Sequence, residues 1–319
     1  MKKVRFGILS SAKIGVEQVI PAMMNGSFCE VTAIASRNPQ KAAAVAAELG
    51  IAKHYGSYDD LLADPEIDAV YNPLPNHLHV PLTLQALRSG KHVLCEKPVA
   101  LSAVEAQELL EQSRNYPGLK IMEAFMYRFH PRWDRIKELI SQGEIGEIKA
   151  VHSFFSYFND DPENIRNDAS MGGGGLMDIG CYSISSARYI FGKEPVAVAG
   201  VTQLDDAFGV DRLASGLLDF GSGTCVFSCT MRSPKYQYLK VFGTHGHIHV
   251  PWPFNPEMDR DSELSITIGD KSRVESFPPA NHYTLQGDHF ARSILDDTPV
   301  PTPLEDAVAN MEVIDAILA

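Results

Sequence analysis

The segment Gly90-Lys-His-Val-Leu-Cys-Glu-Lys-Pro-Val-Ala-Leu-Ser102 sets a charged pair, Glu96 and Lys97, at the end of a short apolar run, with Pro98 directly after it. The run His92–Cys95 reads as a buried strand. Proline cannot donate to a sheet ladder, so Pro98 ends that strand and stiffens the turn. A lysine delivered to the carboxyl edge of an open α/β sheet stands where such sheets bind ligands. On this segment alone, a surface lysine at a strand end is an equally weighted reading.

A second stretch offers phosphate chemistry. Gly7-Ile-Leu-Ser-Ser-Ala-Lys-Ile-Gly15 follows the first apolar run and opens a helical pattern. A dinucleotide fingerprint at such a place has the form G-x-G-x-x-G, and its three positions fall here on Ser10, Ala12 and Gly15. Small residues still let the backbone approach a pyrophosphate, and a helix N-terminus offers free amides. Gly7, Ser10, Ser11, Ala12, Lys13 and Ile14 are therefore the candidate cofactor contacts, against the alternative of a plain strand-to-helix turn. After the second apolar run the chain reads Ala35-Ser36-Arg37-Asn38-Pro39, with no acid to bind ribose hydroxyls. Arg37 can form a bidentate pair with a 2′-phosphate and Ser36 can add a hydroxyl, which points to NADP. NAD stays possible, because Arg37 can also be an ordinary solvated charge.

These residues need elements to hold them. Val4–Leu9, Val31–Ser36, Ile67–Asn72, His92–Cys95 and Lys120–Ala124 read as strands, alternating with helices over Gly15–Met24, Pro39–Leu49, Pro81–Ser89 and Ala103–Asn115. Such alternation implies βαβ units and a doubly wound parallel sheet covered on both faces. Past Phe125 a helix is expected over Pro131–Ser141. Strands then dominate: Lys149–Tyr157, Val196–Gln203, Ala214–Phe220, Thr224–Met231, Tyr238–Phe242 and Leu264–Ile268, with helices at Gly175–Phe191 and His282–Leu295. Consecutive strands without helices between them imply a large, mainly antiparallel sheet in a C-terminal α+β domain. The expected division is a dinucleotide-binding domain over residues 1–124 and a substrate and oligomerisation domain over 125–303. The last helix, Leu304–Leu318, is apolar to its end; it either docks back on the first domain or is cut short.

Composition excludes more than it assigns. The chain has 319 residues, is 45% hydrophobic and carries a formal net charge of −12. That charge argues against nucleic acid, whose binding releases counterions through clustered Lys and Arg. No apolar run approaches the ~20 residues of a membrane span. Five cysteines, an odd number without scaffold density, suggest a reducing cytoplasm.

Taken together, the Gly7…Gly15 turn, Asn72-Pro-Leu-Pro-Asn-His-Leu-His79, Glu96-Lys97-Pro98, Gly172-Gly-Gly-Gly-Leu-Met-Asp178-Ile-Gly-Cys-Tyr182 and Gly243-Thr-His-Gly246 resemble the Gfo/Idh/MocA oxidoreductases over nearly the whole chain. The small-residue first turn and the Asp178…Tyr182 ending look most like the aldose (xylose-type) dehydrogenases and dimeric dihydrodiol dehydrogenases; inositol-type members usually have His in place of Tyr182. The resemblance implies a Rossmann domain followed by an open-faced sheet that often forms a dimer interface. It implies Lys97 as the catalytic lysine, Tyr182 as the acid/base and Asp178 as their companion. It also places Pro73, Leu74, Asn76 and His79 near the nicotinamide, with Glu96 holding the cofactor ribose or orienting Lys97. Asn76 reads equally as a helix cap.

The implied chemistry is coherent. A free tyrosine has a pKa near 10, and a neighbouring ammonium favours its phenolate. Tyr182 would then exchange the proton of the reacting hydroxyl while hydride moves to or from the nicotinamide. Asp178 and Tyr182 are four apart on one expected helix and so share a face, and Gly172–Gly175 would let a ligand approach the backbone. Without the resemblance, Tyr182 reads as a core tyrosine and Asp178 as a first-turn acid. Substrate contacts are assigned to Arg166, Tyr157 and Tyr283, with Phe158 as a further aromatic wall. Those residues also read as surface loop. His245, His247 and His249 alternate on one strand face, but no acid or cysteine completes a metal site, so no metal is expected; Cys225 and Cys229 read as packed in the sheet. The reading is an NADP-dependent enzyme acting on a carbohydrate or cyclic diol, working as a homodimer or higher homo-oligomer. The alternatives are a trans-dihydrodiol dehydrogenase, a keto-sugar reductase or a non-catalytic NADP-binding regulator.

Overall fold

The computed structural model describes residues 2–319 and divides into two compact units. The first comprises Met1–Met126 with Asn281–Val308. Its sheet is wholly parallel, in the order β3-β2-β1-β4-β5-β6, built from β1 (Val4–Leu9), β2 (Cys29–Ala35), β3 (Lys53–Tyr55), β4 (Ala69–Asn72), β5 (His92–Cys95) and β6 (Ile121–Glu123). The apolar strands Ile8-Leu9, Ala69–Tyr71 and Val93–Cys95 are buried, as helices on both faces require. Those helices include α1 (Ile20–Met24), α2 (Pro39–Leu49), α3 (Tyr58–Ala63), α4 (His79–Arg88) and α5 (Ala103–Ser113). Their starts follow local capping chemistry: the side chains of Asn38, Ser57 and Ser102 accept from the amides of Lys41, Asp60 and Glu105. β3 and α3 were not expected from the sequence, because three and six residues are too few to show a period.

Helix His282–Leu295, assigned from sequence to the second domain, clusters with the first unit. Its Phe290 ring lies 6.2 Å from that of Phe6, Gly287 packs against Met23 and Cys29, and Asp288 accepts the amides of Ser27 and Phe28. Helical periodicity identifies a buried face; it does not name the sheet that buries it.

The second unit comprises Tyr127–Ala280 with Ala309–Ala319. It holds α6 (Pro131–Ser141), β7 (Ile148–Phe158), α7 (Cys181–Phe191), β8 (Ala197–Leu204), β9 (Asp211–Asp219), β10 (Thr224–Thr230), β11 (Arg232–Gly243), β12 (Gly246–Pro251), β13 (Ser262–Ile268) and β14 (Lys271–Phe277). The eight strands form one sheet in the order β14-β13-β12-β11-β7-β10-β9-β8. All neighbours are antiparallel except β7 and β10. One face buries Val151, Phe155, Cys225, Phe227, Leu239, Val241, Ile248 and Leu264. The other leaves Val201, Leu217, Val226, Tyr236 and Val274 exposed.

The closing helix was expected to dock on the first domain. Its residues through Val308 cluster with the first unit and those from Ala309 onward with the second. Gly200 on β8 and Gly216 on β9 leave a slot that Ile317 fills, and Asn310 bonds Arg188 and the carbonyl of Cys181.

Gly7, a candidate cofactor contact, has a packing duty. A Cβ there would stand 2.7 Å from Leu61 Cδ2 and 3.0 Å from Ile67 Cδ1. Overpacking of this kind costs about 1–3 kcal/mol. Gly7→Val should therefore lower the urea midpoint, and an unchanged midpoint would show that Leu61 turns aside freely.

Candidate active site

The turn after β1 carries the first part of the site. Ser10, at the first glycine position of the fingerprint, has φ 124°, a conformation that glycine adopts without strain and serine does not. The helix begins at Lys13 and passes at once into a π-helical segment, Gly15–Val19. π turns of this kind often mark functional sites. Pro73 lies 3.6 Å from where a Gly15 Cβ would be, so the loop after β4 packs on this turn. At the end of β2, no acid is present and Arg37 is exposed. The sequence reading missed Tyr58, at the start of α3, whose phenol is raised by burial and drawn down by Arg37 and Ser10 near it. Ser36 accepts from the amide of Asn38 and Asn38 caps α2, so both already have local partners. Ser11 is buried, whereas Lys13 is exposed and weakly paired with Glu17.

The turn that carries Lys97 is held from elsewhere in this unit. The Lys97–Pro98 peptide is cis. His79, a candidate cofactor contact, is fully buried. Its ring nitrogens lie 2.7 Å from the carbonyl oxygens of Pro98 and Leu74. Burial pulls His79 down to about 4 against the pull of those carbonyls; the neutral ring has one N–H and donates to one of the two carbonyls, with its second nitrogen standing against the other. Glu123 Oε1 accepts the amide of Val99 at 2.9 Å. Beside them, the buried Tyr71 donates to Glu96 Oε1 at 2.7 Å. Tyr283, predicted to touch substrate, belongs to this same group: burial and the charge of Glu96 raise its phenol. The structure thus places Tyr283 with the cofactor-side residues.

In the second unit, Asp178 lies in a π-helical segment, Leu176–Gly180, that runs directly into α7 and Tyr182. The carboxylate of Asp178 is mostly buried and shared. Arg166 Nε stands 2.8 Å from its Oδ2, and Tyr157 donates to the same oxygen at 2.5 Å. Tyr157 is therefore a hydrogen-bond donor to Asp178. Its phenol is pushed up by burial first and by the charge of Asp178 second. Arg166 is raised chiefly by Asp178, with a further contribution from Tyr182, which places Tyr182 within electrostatic reach of the guanidinium. The Tyr182 ring sits among Tyr127, Phe155 and Phe254, with centroids 5.9, 5.8 and 5.3 Å away. Sequence reasoning missed this cage because its members come from separate elements. Phe158 is exposed at the end of β7, and among the described residues no His, Cys, Asp and Glu group could hold a metal ion.

Two comparisons give this geometry a family. Residues 4–122 match the oxidoreductase family with an NAD-binding Rossmann fold, and residues 133–249 match the GFO/IDH/MocA C-terminal domain. The chain belongs to this family. It is 41% identical to D-xylose 1-dehydrogenase (NADP(+)) 2 of Haloferax volcanii, over 98% of this chain and 95% of that one. It is 34% identical to trans-1,2-dihydrobenzene-1,2-diol dehydrogenase of Xenopus tropicalis, over 86% and 81%. Among solved structures it is similar to KijD10, a 3-ketoreductase from Actinomadura kijaniata in complex with NADP and TDP-benzene, with a TM-score of 0.93 and 29% identity, covering 99% of this chain and 97% of that one.

The Ser10–Tyr58–Arg37 group suits a 2′-phosphate. Arg37→Ala should raise KM for NADP by about tenfold to a hundredfold, the loss of one charge-assisted pair, while leaving KM for NAD nearly unchanged. An equal effect on both cofactors, in steady-state assays run in parallel, would remove Arg37 from the phosphate site.

Proposed function

We propose that this oxidoreductase uses NADP to move hydride to or from a sugar carbon, with oxidation of an aldose at its anomeric carbon as the favoured reaction. The observation that carries the reading is Tyr182 set beside the Arg166–Asp178 ion pair, on the helix start that the family match covers. The nicotinamide, when bound, supplies the hydride chemistry. The chain's residues manage the rest. Tyr182 takes the proton of the reacting hydroxyl in oxidation and returns it in reduction. Lys97 holds the same oxygen and favours the phenolate. Asp178 and Arg166 offer an acceptor and donors to neighbouring hydroxyls. On the cofactor side, Arg37, Ser10 and Tyr58 receive the 2′-phosphate, Glu96 the ribose, and the turn Ser10–Ile14 the pyrophosphate. The similarity to a D-xylose dehydrogenase supports the aldose. A trans-dihydrodiol or a keto-sugar would use the same residues, as the similarity to a dihydrodiol dehydrogenase supports.

General acid–base groups contribute about 10²–10⁴-fold. Tyr182→Phe and Lys97→Met should each lose that much turnover on a panel of aldoses, polyols and diols, followed by absorbance of the reduced cofactor. Unchanged turnover in either folded variant would sink the assignment.

A second copy of the chain, we propose, covers the open face of the eight-stranded sheet, in a reducing cytoplasm that suits five buried free cysteines. The support is the face itself. Val226, Leu217 and Val201 are 45%, 46% and 68% exposed on adjacent strands, and Phe154, Tyr236 and Tyr238 form a ring cluster beside them. Contiguous apolar surface on this scale marks an interface, and a two-fold axis lets one such face meet itself. Val226→Asp should convert a dimer to a monomer in sedimentation velocity. A wild-type chain that sediments as a monomer would overturn the proposal.

A further inference from the structure

The glycine run Gly172–Gly175 was expected to leave room for a ligand, yet the chain's own atoms fill that room. The amides of Gly173 and Gly174 donate to the carbonyls of Asp168 and Arg166, at 3.0 and 2.9 Å. A Cβ on Gly173 would stand 2.5 Å from the Arg166 carbonyl oxygen. Gly174 has φ 113°, and a Cβ there would run into the carboxylate of Asp211, at the start of β9. That carboxylate is buried. Its Oδ2 accepts the amide of Leu176 at 2.7 Å, and the amide of Gly175 acts to lower its pKa. The carbonyl of Gly174 in turn accepts the amide of Asp178 at 3.0 Å. One carboxylate therefore clamps the run whose two ends fix Arg166 and Asp178.

We propose that Asp211 is a positioning residue for the reaction: by holding Gly174–Leu176 it sets Arg166 and Asp178, and through them the surroundings of Tyr182. This rests on the reading of Tyr182 and Asp178 given above. No substrate contact is assigned to Asp211.

The clamp depends on the charge of Asp211. The ionised carboxylate only accepts, and the neutral acid has turned one oxygen into a donor beside the amide of Leu176. Burial raises Asp211 to about 6, opposed by the amides of Leu176 and Gly175 and aided by the charge of Asp178. The other titratable group facing it is the Cys229 thiol on β10, itself held up by burial. The sign can be worked out for both properties. A carboxyl whose folded pKa lies above its unfolded value favours the fold when protonated, so its contribution to stability falls as pH rises from about 4 to about 6. Activity runs the other way, because it requires the ionised clamp, and declines as pH falls through about 6. A residue with only a structural role would move both together.

The test measures kcat and KM between pH 5 and 8 with NADP and D-xylose, D-glucose and L-arabinose, for wild type, Asp211→Asn and Asp211→Ala. Hydrogen exchange of the amides from Gly173 to Asp178 at pH 5 and 7.5 accompanies it, corrected for intrinsic rates. Asp211→Asn should lower kcat about tenfold and Asp211→Ala about a hundredfold, the scale of a 1 Å misplacement. NADPH binding should be retained, the acid limb near pH 6 should vanish in both variants, and exchange protection should be lost in wild type at pH 5 and in the variants at both pH values. Wild-type kcat with an intact acid limb in either variant overturns the proposal. So does protection of the run that depends neither on pH nor on Asp211. The second arm needs no turnover, so it decides the role of the clamp even if Tyr182→Phe were to retain activity and the reading of the reaction failed.

Discussion

A carboxylate that leaves water must be paid back in partners, and Asp178 is the carboxylate around which the second unit is arranged. Its side chain is 13% exposed, and it receives a guanidinium and a phenol on one oxygen. An unpaired charge at that depth would cost several kcal/mol, and removing one member of such a group typically costs about 3–5 kcal/mol. Each partner must therefore be supplied by an element whose position is fixed independently. Tyr157 comes from β7, near the middle of the sheet. Arg166 comes from an irregular loop, and a loop does not fix a side chain unless its backbone is held; the amides of Gly173 and Gly174 hold it. The glycines are required by this close approach of chain to chain, at positions where any side chain would strike backbone or the carboxylate of Asp211.

The first unit solves the same problem with different groups. Lys97 sits on a turn and not within the strand, and a turn bearing a flexible lysine is a poor scaffold unless its carbonyls and amides are engaged. The ring of His79 engages the Pro98 carbonyl, and Glu123 engages the amide of Val99. Tyr71 fixes Glu96. All three supporting side chains are buried, so their hydrogen bonds are made without competition from water and leaving them unmade would be costly. The supports come from the ends of β4 and β6 and the start of α4, all near the carboxyl edge of the parallel sheet.

Legibility in the sequence follows this division of labour. Local rules placed β1, β5, α2 and the helices Pro131–Ser141 and His282–Leu295 at the residues where they stand, because period, caps and prolines are read within a dozen residues. The turn after β1 and the Glu96-Lys97-Pro98 corner were legible for the same reason. What was not legible depends on pairs far apart in the chain: Asp211 with Leu176, Tyr71 with Glu96, Tyr127 and Phe254 with Tyr182. Tyr157 shows the difference in one residue. Its alternation on β7 marks it as a half-buried aromatic, and only the fold shows that its hydroxyl meets Asp178. The assignment of helix His282–Leu295 differs from the fold for the same reason: an amphipathic face is a local property and its partner is not.

Charge balance sets what the proposed reaction demands around Tyr182. The rings of Tyr127, Phe155 and Phe254 position Tyr182 closely but are a poor solvent for a phenolate. Arg166, within electrostatic reach of Tyr182, is committed to Asp178, and the two charges offset each other. An ion pair of that kind orients hydroxyls well and stabilises an added negative charge weakly, since the attraction of one member largely cancels the repulsion of the other. The phenolate of the proposed mechanism therefore requires a further positive charge. That is the role proposed for the ammonium of Lys97, and an oxidised nicotinamide would act in the same direction when bound.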